Sequence, residues 1–129
     1  MTVEQLLQSV LIDDDVSEAV QGVYTGIQSR YYIYRIDTSP ALFGDNAPQA
    51  LVHRVEVHYF CPMSDDSAER KQLTCERLHD AGFSWPDLGD DSDMGNLSNA
   101  GGSEYTRQHF ILTCEIVTAM NGEVIQWQG

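Results

Sequence analysis

The amino-acid sequence predicts an α+β domain, a mostly antiparallel sheet of about four to five strands with helices packed on one face. Two segments, residues 51–61 (LVHRVEVHYFC) and 107–118 (RQHFILTCEIVT), alternate apolar and polar side chains with the period of a half-covered strand. Between them, residues 65–81 (DDSAERKQLTCERLHDA) carry helix-starting and helix-stopping residues at their ends. A third run, residues 31–36 (YYIYRI), is aromatic and β-branched and precedes the first of these strands with no helix between.

At the N-terminus, Val3, Leu6, Leu7, Val10 and Leu11 follow the spacing of an amphipathic helix, and Thr2 with Gln5 fits a capping box. Asp13-Asp14-Asp15 interrupts that pattern. Asp15 and Glu18 are expected to cap a second short helix that stops at Gly22. In the run 31–36, Tyr32, Tyr34 and Ile36 should face the core, and Thr38-Ser39-Pro40 should end the strand. Residues 41–50 then read as a loop carrying Asp45, with Phe43 as its apolar anchor.

In the strand 51–61, Leu51, Val55, Val57 and Tyr59 share one face and Arg54, Glu56 and His58 the other, until Pro62 stops it. The helix that follows starts with a box of Asp66 and Glu69, with Asp65 adding charge that suits its N-terminus. Ala68, Cys75, Leu78 and Ala81 should form its buried face, leaving Lys71, Glu76 and Arg77 in water. Gly82 suits the left-handed position after the helix, and Phe83 should fold back on Leu78. Residues 86–104 (PDLGDDSDMGNLSNAGGSE) form a long acidic loop. The last long strand should turn Phe110, Leu112, Cys114 and Ile116 inward and His109, Thr113 and Glu115 outward. Asn121-Gly122 signals a hairpin, with 123–127 as an edge strand. The predicted order is α-α-β-β-α-β-β.

With 129 residues the chain suits one domain, 1–129. No run reaches the roughly eighteen apolar residues that a membrane span needs. The start, MTVEQLLQSVLIDDD, lacks the features of a secretory signal and reads as the first helix of a cytosolic protein. A net charge of −13 argues against binding nucleic acid through its phosphates, which takes clustered Lys and Arg.

The chemistry-bearing residues form no recognisable set. Cys61, Cys75 and Cys114 have no CxxC spacing and sit in apolar-patterned segments, so they read as small buried hydrophobes. His53 and His58 point to opposite faces of one strand; His58 and His109 can share a face, but without a third ligand. An EF-hand counted from Asp91 puts Asn96 at the glycine position and Gly102 at the glutamate position. Cys75 and His79 lie one helical turn apart with nothing to orient them, and there is no nucleophile elbow or phosphate-binding glycine loop. Neither an enzyme, a metal nor a cofactor is expected.

Taken together, the elements resemble the tail completion, or tail terminator, proteins of long-tailed bacteriophages and prophages. The resemblance covers residues 2–118 and rests on the strand YYIYRIDTSP, the V-x-V-x-x-F strand VEVHYFCP, the helix end LHDAGF, an acidic spacer and the strand TRQHFILTCEI. It implies a virion subunit that forms rings, commonly hexamers, at the head-facing end of the tail tube. Such a subunit halts tube polymerisation and offers the head connector protein a surface. The implied partners are other copies, the tail tube protein and the connector, with DNA passing through the lumen unbound and no membrane. Assembly would occur in the host cytoplasm. Another head–tail connector or minor tail protein fits the same outline.

On this reading the contacts fall on Phe43 and Asp45 in the first loop, on Asp87, Asp90, Asp91, Asp93 and Met94 in the second, and on Ile125 and Trp127 of the edge strand. Part of the negative charge is expected to line the lumen, so that passing DNA does not adhere. A competing reading is an acidic inhibitor that mimics DNA, although many of the carboxylates gather in helix caps and one loop instead of along one regular face. A small metal-dependent hydrolase would lack its ligand set.

Overall fold

The computed structural model describes residues 2–42, 48–88 and 107–119. These form two helices, α1 (Val3–Leu11) and α2 (Ser67–Asp80), and five strands, β1 (Ala19–Gln21), β2 (Tyr31–Leu42), β3 (Pro48–Pro62), β4 (Asp87–Leu88) and β5 (Arg107–Ala119). The sheet order is β1-β2-β3-β5-β4. It is mixed, because β1 runs parallel to β2 while every other pair is antiparallel. The class is α+β, as the strand and helix patterns predict.

One face of the sheet carries the core. Val3, Leu7 and Leu11 of α1 and Cys75 and Leu78 of α2 pack with Tyr32, Tyr34, Val55, Val57, Phe110, Leu112, Cys114 and Ile116. The strand register explains why the inward alternation works. Tyr32 lies opposite Tyr59, and Tyr59 opposite Phe110. Their rings therefore form a row across three strands, with centroids 4.7 and 5.0 Å apart.

Both helices start and stop as local chemistry dictates. Gln5 N–H donates to Thr2 Oγ1 at 3.1 Å and Thr2 N–H to Gln5 Oε1 at 2.9 Å, a complete capping box. In α2, Asp66 accepts from Glu69 N–H at 3.2 Å. Its end is a full Schellman motif: Gly82 at φ +110° donates to His79 O at 3.1 Å, and Phe83 N–H to Leu78 O at 3.0 Å. Phe83 is 1 % exposed and joins the core beside Leu78. Ala68, by contrast, is exposed. The buried residues of α2 are Thr74, Cys75 and Leu78, so the helix settles on the sheet only from its middle onward.

The second short helix is not there, and β1 stands in its place. Asp13 Oδ1 does accept the N–H groups of Asp15 and Val16, as a cap would, but the chain then extends. Glu18 O accepts from Tyr32 N–H at 2.9 Å, and Gly22 N–H donates to Tyr34 O at 3.2 Å. The backbone groups a helix would have used are taken by β2, and Val16 and Ala19 are buried as a result. Gly22, at φ +92°, ends the strand.

β2 also outruns its predicted end and passes through Pro40 to Leu42. Tyr32 N–H and Tyr34 C=O point toward β1, so alternation turns the backbone groups of Ile36, Thr38 and Pro40 to that same side, away from β3. The donor that proline lacks is therefore not one the β2–β3 ladder needs. Of the expected loop 41–50, Ala41 and Leu42 belong to β2 and Pro48, Gln49 and Ala50 to β3, while residues 43–47 lie outside the described residues. Asp87 and Leu88, assigned to the acidic loop, pair with Thr113 and Leu112 as β4. Residues 89–104 of that loop and the predicted hairpin at Asn121-Gly122 lie outside the described residues.

Candidate functional site

The face of the sheet opposite the helices is where chemistry-bearing side chains meet. At one end of it a row of rings crosses from the segment before β2 to β5. Tyr24 stacks on Tyr31 at 4.0 Å, Tyr31 on Phe60 at 4.9 Å, and Phe60 on His109 at 4.5 Å. Tyr24 is held by its hydroxyl, which accepts from Gln28 N–H at 2.8 Å. His109 faces outward as its position in the strand predicts, but it is 5 % exposed and not in water.

The row ends in a hydrogen-bonded chain. His58 Nδ1 lies 2.8 Å from His109 Nε2, with ring planes within 5°, and His58 Nε2 meets Glu56 Oε1 at 2.5 Å. A carboxylate only accepts, so Nε2 of His58 carries the proton there. His58 Nδ1 and His109 Nε2 share the second bond, its donor set by the ring tautomers. Further along the same face, Arg54 approaches Glu115 at 3.6 Å, an exposed pair of small energetic weight.

Two other polar arrangements lie on the helix side. Across β2, β3 and β5, Thr38 Oγ1 and Thr118 Oγ1 flank the ring nitrogens of His53, each at 2.8 Å. Burial pushes the His53 pKa down, and the two hydroxyls satisfy the neutral ring. At the C-terminal end of α1, Asp13 Oδ2 accepts from Arg70 Nη1 at 2.8 Å and from Arg77 Nη1 at 2.7 Å. Arg70 also donates to Tyr32 Oη and Leu11 O. Burial raises the Asp13 pKa, but the bonds from Arg77, Arg70 and two backbone N–H groups outweigh it and hold the carboxyl well below the usual range. Arg77, expected in water, is thus tied to the other helix.

A shallow cleft of about 390 Å³ opens beside this clamp, lined by Arg30, Tyr59, Cys61, Asp65, Glu69 and Arg70 among others. Arg30 and Asp65 pair with each other there, Arg30 Nη2 donating to Asp65 Oδ1 at 2.7 Å, and Arg70 is engaged as above.

The cysteines are buried, and burial pushes Cys61 up to about 11 and Cys114 up to about 12. Neither forms a thiolate at neutral pH. Cys75 is buried while His79 is exposed against the Trp85 ring, centroids 5.7 Å apart, so they do not form a pair. Among the described residues no group of His, Cys, Asp and Glu is placed to hold a metal ion.

Of the predicted contact residues, Asp87 is described; it is exposed on β4. Phe43, Asp45, Asp90, Asp91, Asp93, Met94, Ile125 and Trp127 lie outside the described residues. Sequence reasoning missed the clamp of Asp13, Arg70 and Arg77, whose members lie 57 and 64 residues apart. It placed His58 and His109 on one face but not in contact. No protein-family model matches the chain, and no curated protein matches it closely enough to count as a relative.

Proposed function

We propose that this chain is a structural virion subunit of a long-tailed phage or prophage, which caps the tail tube as a ring, stops its polymerisation and joins it to the head connector. The observation that supports this reading is the one-sided sheet. Both helices pack against one face, while the other presents Arg35, Asp37, Arg54, Glu56 and Glu115 in alternating sign. A ring subunit needs separate surfaces for two neighbours, a tube and a connector, and a long sheet covered on one side supplies them without a cleft. The acidic segment that includes Asp90, Asp91, Asp93 and Met94, together with Phe43, Asp45, Ile125 and Trp127, supplies the remaining contacts in this proposal. It acts by binding and has no catalytic role.

The test is electron microscopy of the purified chain, alone and mixed with polymerising tail tube protein. Tubes of arrested length carrying a ring of extra density at one end, absent from tubes grown without the chain, are the expected result. Tubes that lengthen unchanged and carry no added density would end the proposal.

A further inference from the structure

We propose that the outer edge of β2 pairs with the same segment of a second copy, as two antiparallel strands with Thr38 on the two-fold axis. The inference stands on the geometry of the edge and concerns the free chain, before any ring forms on a tail tube.

β1 covers β2 only at Tyr32, Ile33 and Tyr34. From Ile36 onward no described strand lies on that side, and Asp37, Thr38, Ser39 and Pro40 are exposed. The outward backbone groups are the N–H and C=O of Ile36 and Thr38 and the C=O of Pro40. An exposed row of this kind is a template for another strand.

Donors and acceptors on this edge match themselves about Thr38. With that residue on the axis, the Thr38 N–H of each copy meets the Thr38 C=O of the other. Ile36 N–H then meets Pro40 C=O on either side, so proline falls where an acceptor is used. Asp37 comes opposite Ser39, whose hydroxyl can donate to the carboxylate. Moving the axis to Asp37 sets like charges directly opposite, which destabilises a strand pair. Moving it to Ser39 sets Pro40 against Thr38 and loses donors. Moving it to Ile36 drives Thr38 of the second copy, in the regular part of the strand, against Tyr34, where β1 already sits. In the Thr38 register only Leu42 reaches that level, and it lies beyond the shift in pairing between Ala41 and Leu42, where the strand departs from its regular course.

A side-by-side arrangement is blocked by the same topology. The outer edge of β5 is occupied at Thr113 by β4 and at Glu115 by Ser84, which leaves its C-terminal end uncovered among the described residues. That end lies beside the open end of β2, since Ala50 pairs with both Ala41 and Ala119. Continuing the sheet from β5 of one copy to β2 of the next would bring β4 and β1 into the same space. Turning the second copy around its two-fold axis avoids that collision.

Cysteine cross-linking reads the register. In the Thr38 register, residues 37 and 39 of different copies form a non-hydrogen-bonded pair about 4.5 Å apart at Cα. This is inside the roughly 4.4–6.8 Å that a disulfide spans. The variant carrying both Asp37→Cys and Ser39→Cys should therefore oxidise to a covalent dimer at least tenfold faster than either single variant. Both positions are exposed, so folding should survive, and circular dichroism checks it. Sedimentation of the unmodified 14.5 kDa chain should give the mass of two chains. Three results overturn the proposal: a monomer at the highest soluble concentration, equally fast cross-linking by Asp37→Cys alone, or larger rings in which the double variant does not cross-link.

Discussion

Replacing Asp13 by Asn separates the charge at the α1–α2 junction from its shape. The amide keeps an oxygen for the N–H groups of Asp15 and Val16, both 2.9 Å away in the parent. Its NH2 then faces two guanidinium donors in place of the Oδ2 that accepts from Arg70 at 2.8 Å and Arg77 at 2.7 Å. Hydrogen bonds to charged groups contribute about 1.5–3 kcal/mol each, and breaking a buried pair costs more than it contributed. The Arg77 side chain is 36 % exposed and regains water, so its share is discounted. The Arg70 side chain is 11 % exposed and cannot, although Tyr32 and Leu11 still hold it. The net loss is about 2–4 kcal/mol, carried mainly by Arg70. For a chain of this size that lowers the melting temperature by roughly 10 °C. The effect must also depend on pH. A carboxyl whose folded pKa is depressed stabilises above its unfolded value, near about 4, and loses that contribution as pH falls toward the folded value. Urea unfolding of both proteins at neutral pH and at about pH 3 tests this, because the gap should shrink on acidification. A gap below about 0.5 kcal/mol at neutral pH, or one that acid leaves unchanged, would refute the account of the clamp.

Three further outcomes follow from individual sites. Gly82→Ala forces a Cβ into φ +110° and should cost about 1 kcal/mol or more, read as a lower denaturant midpoint with unchanged slope. His53 has a folded pKa below its unfolded one, so the unfolded chain binds the proton first as pH falls. Stability should therefore drop from about pH 7 to 5, and His53→Gln should remove that part of the slope while lowering stability at neutral pH. Finally, Cys61, Cys75 and Cys114 are buried, so a thiol reagent at mildly alkaline pH should modify the native chain about a hundredfold more slowly than the denatured one. Rapid native labelling would contradict the burial.

What was legible in the sequence is what short-range chemistry controls. Thr2 and Gln5, Asp66 and Glu69, and Gly82 with Phe83 each act within a few residues, and each helix end formed as its residues predict. The inward faces of β3 and β5 followed for the same reason, since a period of two needs no knowledge of the partner strand. The failures occur where two answers were locally equal. Asp13, Asp15 and Glu18 fit a helix cap, and Asp13 does cap a turn, yet β2 supplied partners for Glu18 and Gly22 that a short helix could not match. Pro40 looked like a strand end because its position relative to β3 was unknown.

The sequence by itself determined the class, the two helices with their caps, the long strands and which of their faces is buried, because capping and alternation are set by neighbours along the chain. Only the tertiary structure decided that β1 is a strand, that Asp13 joins Arg70 and Arg77, that His58 meets His109, and which edges stay uncovered among the described residues. Each of these depends on groups far apart in sequence, and nothing local records which of them will meet.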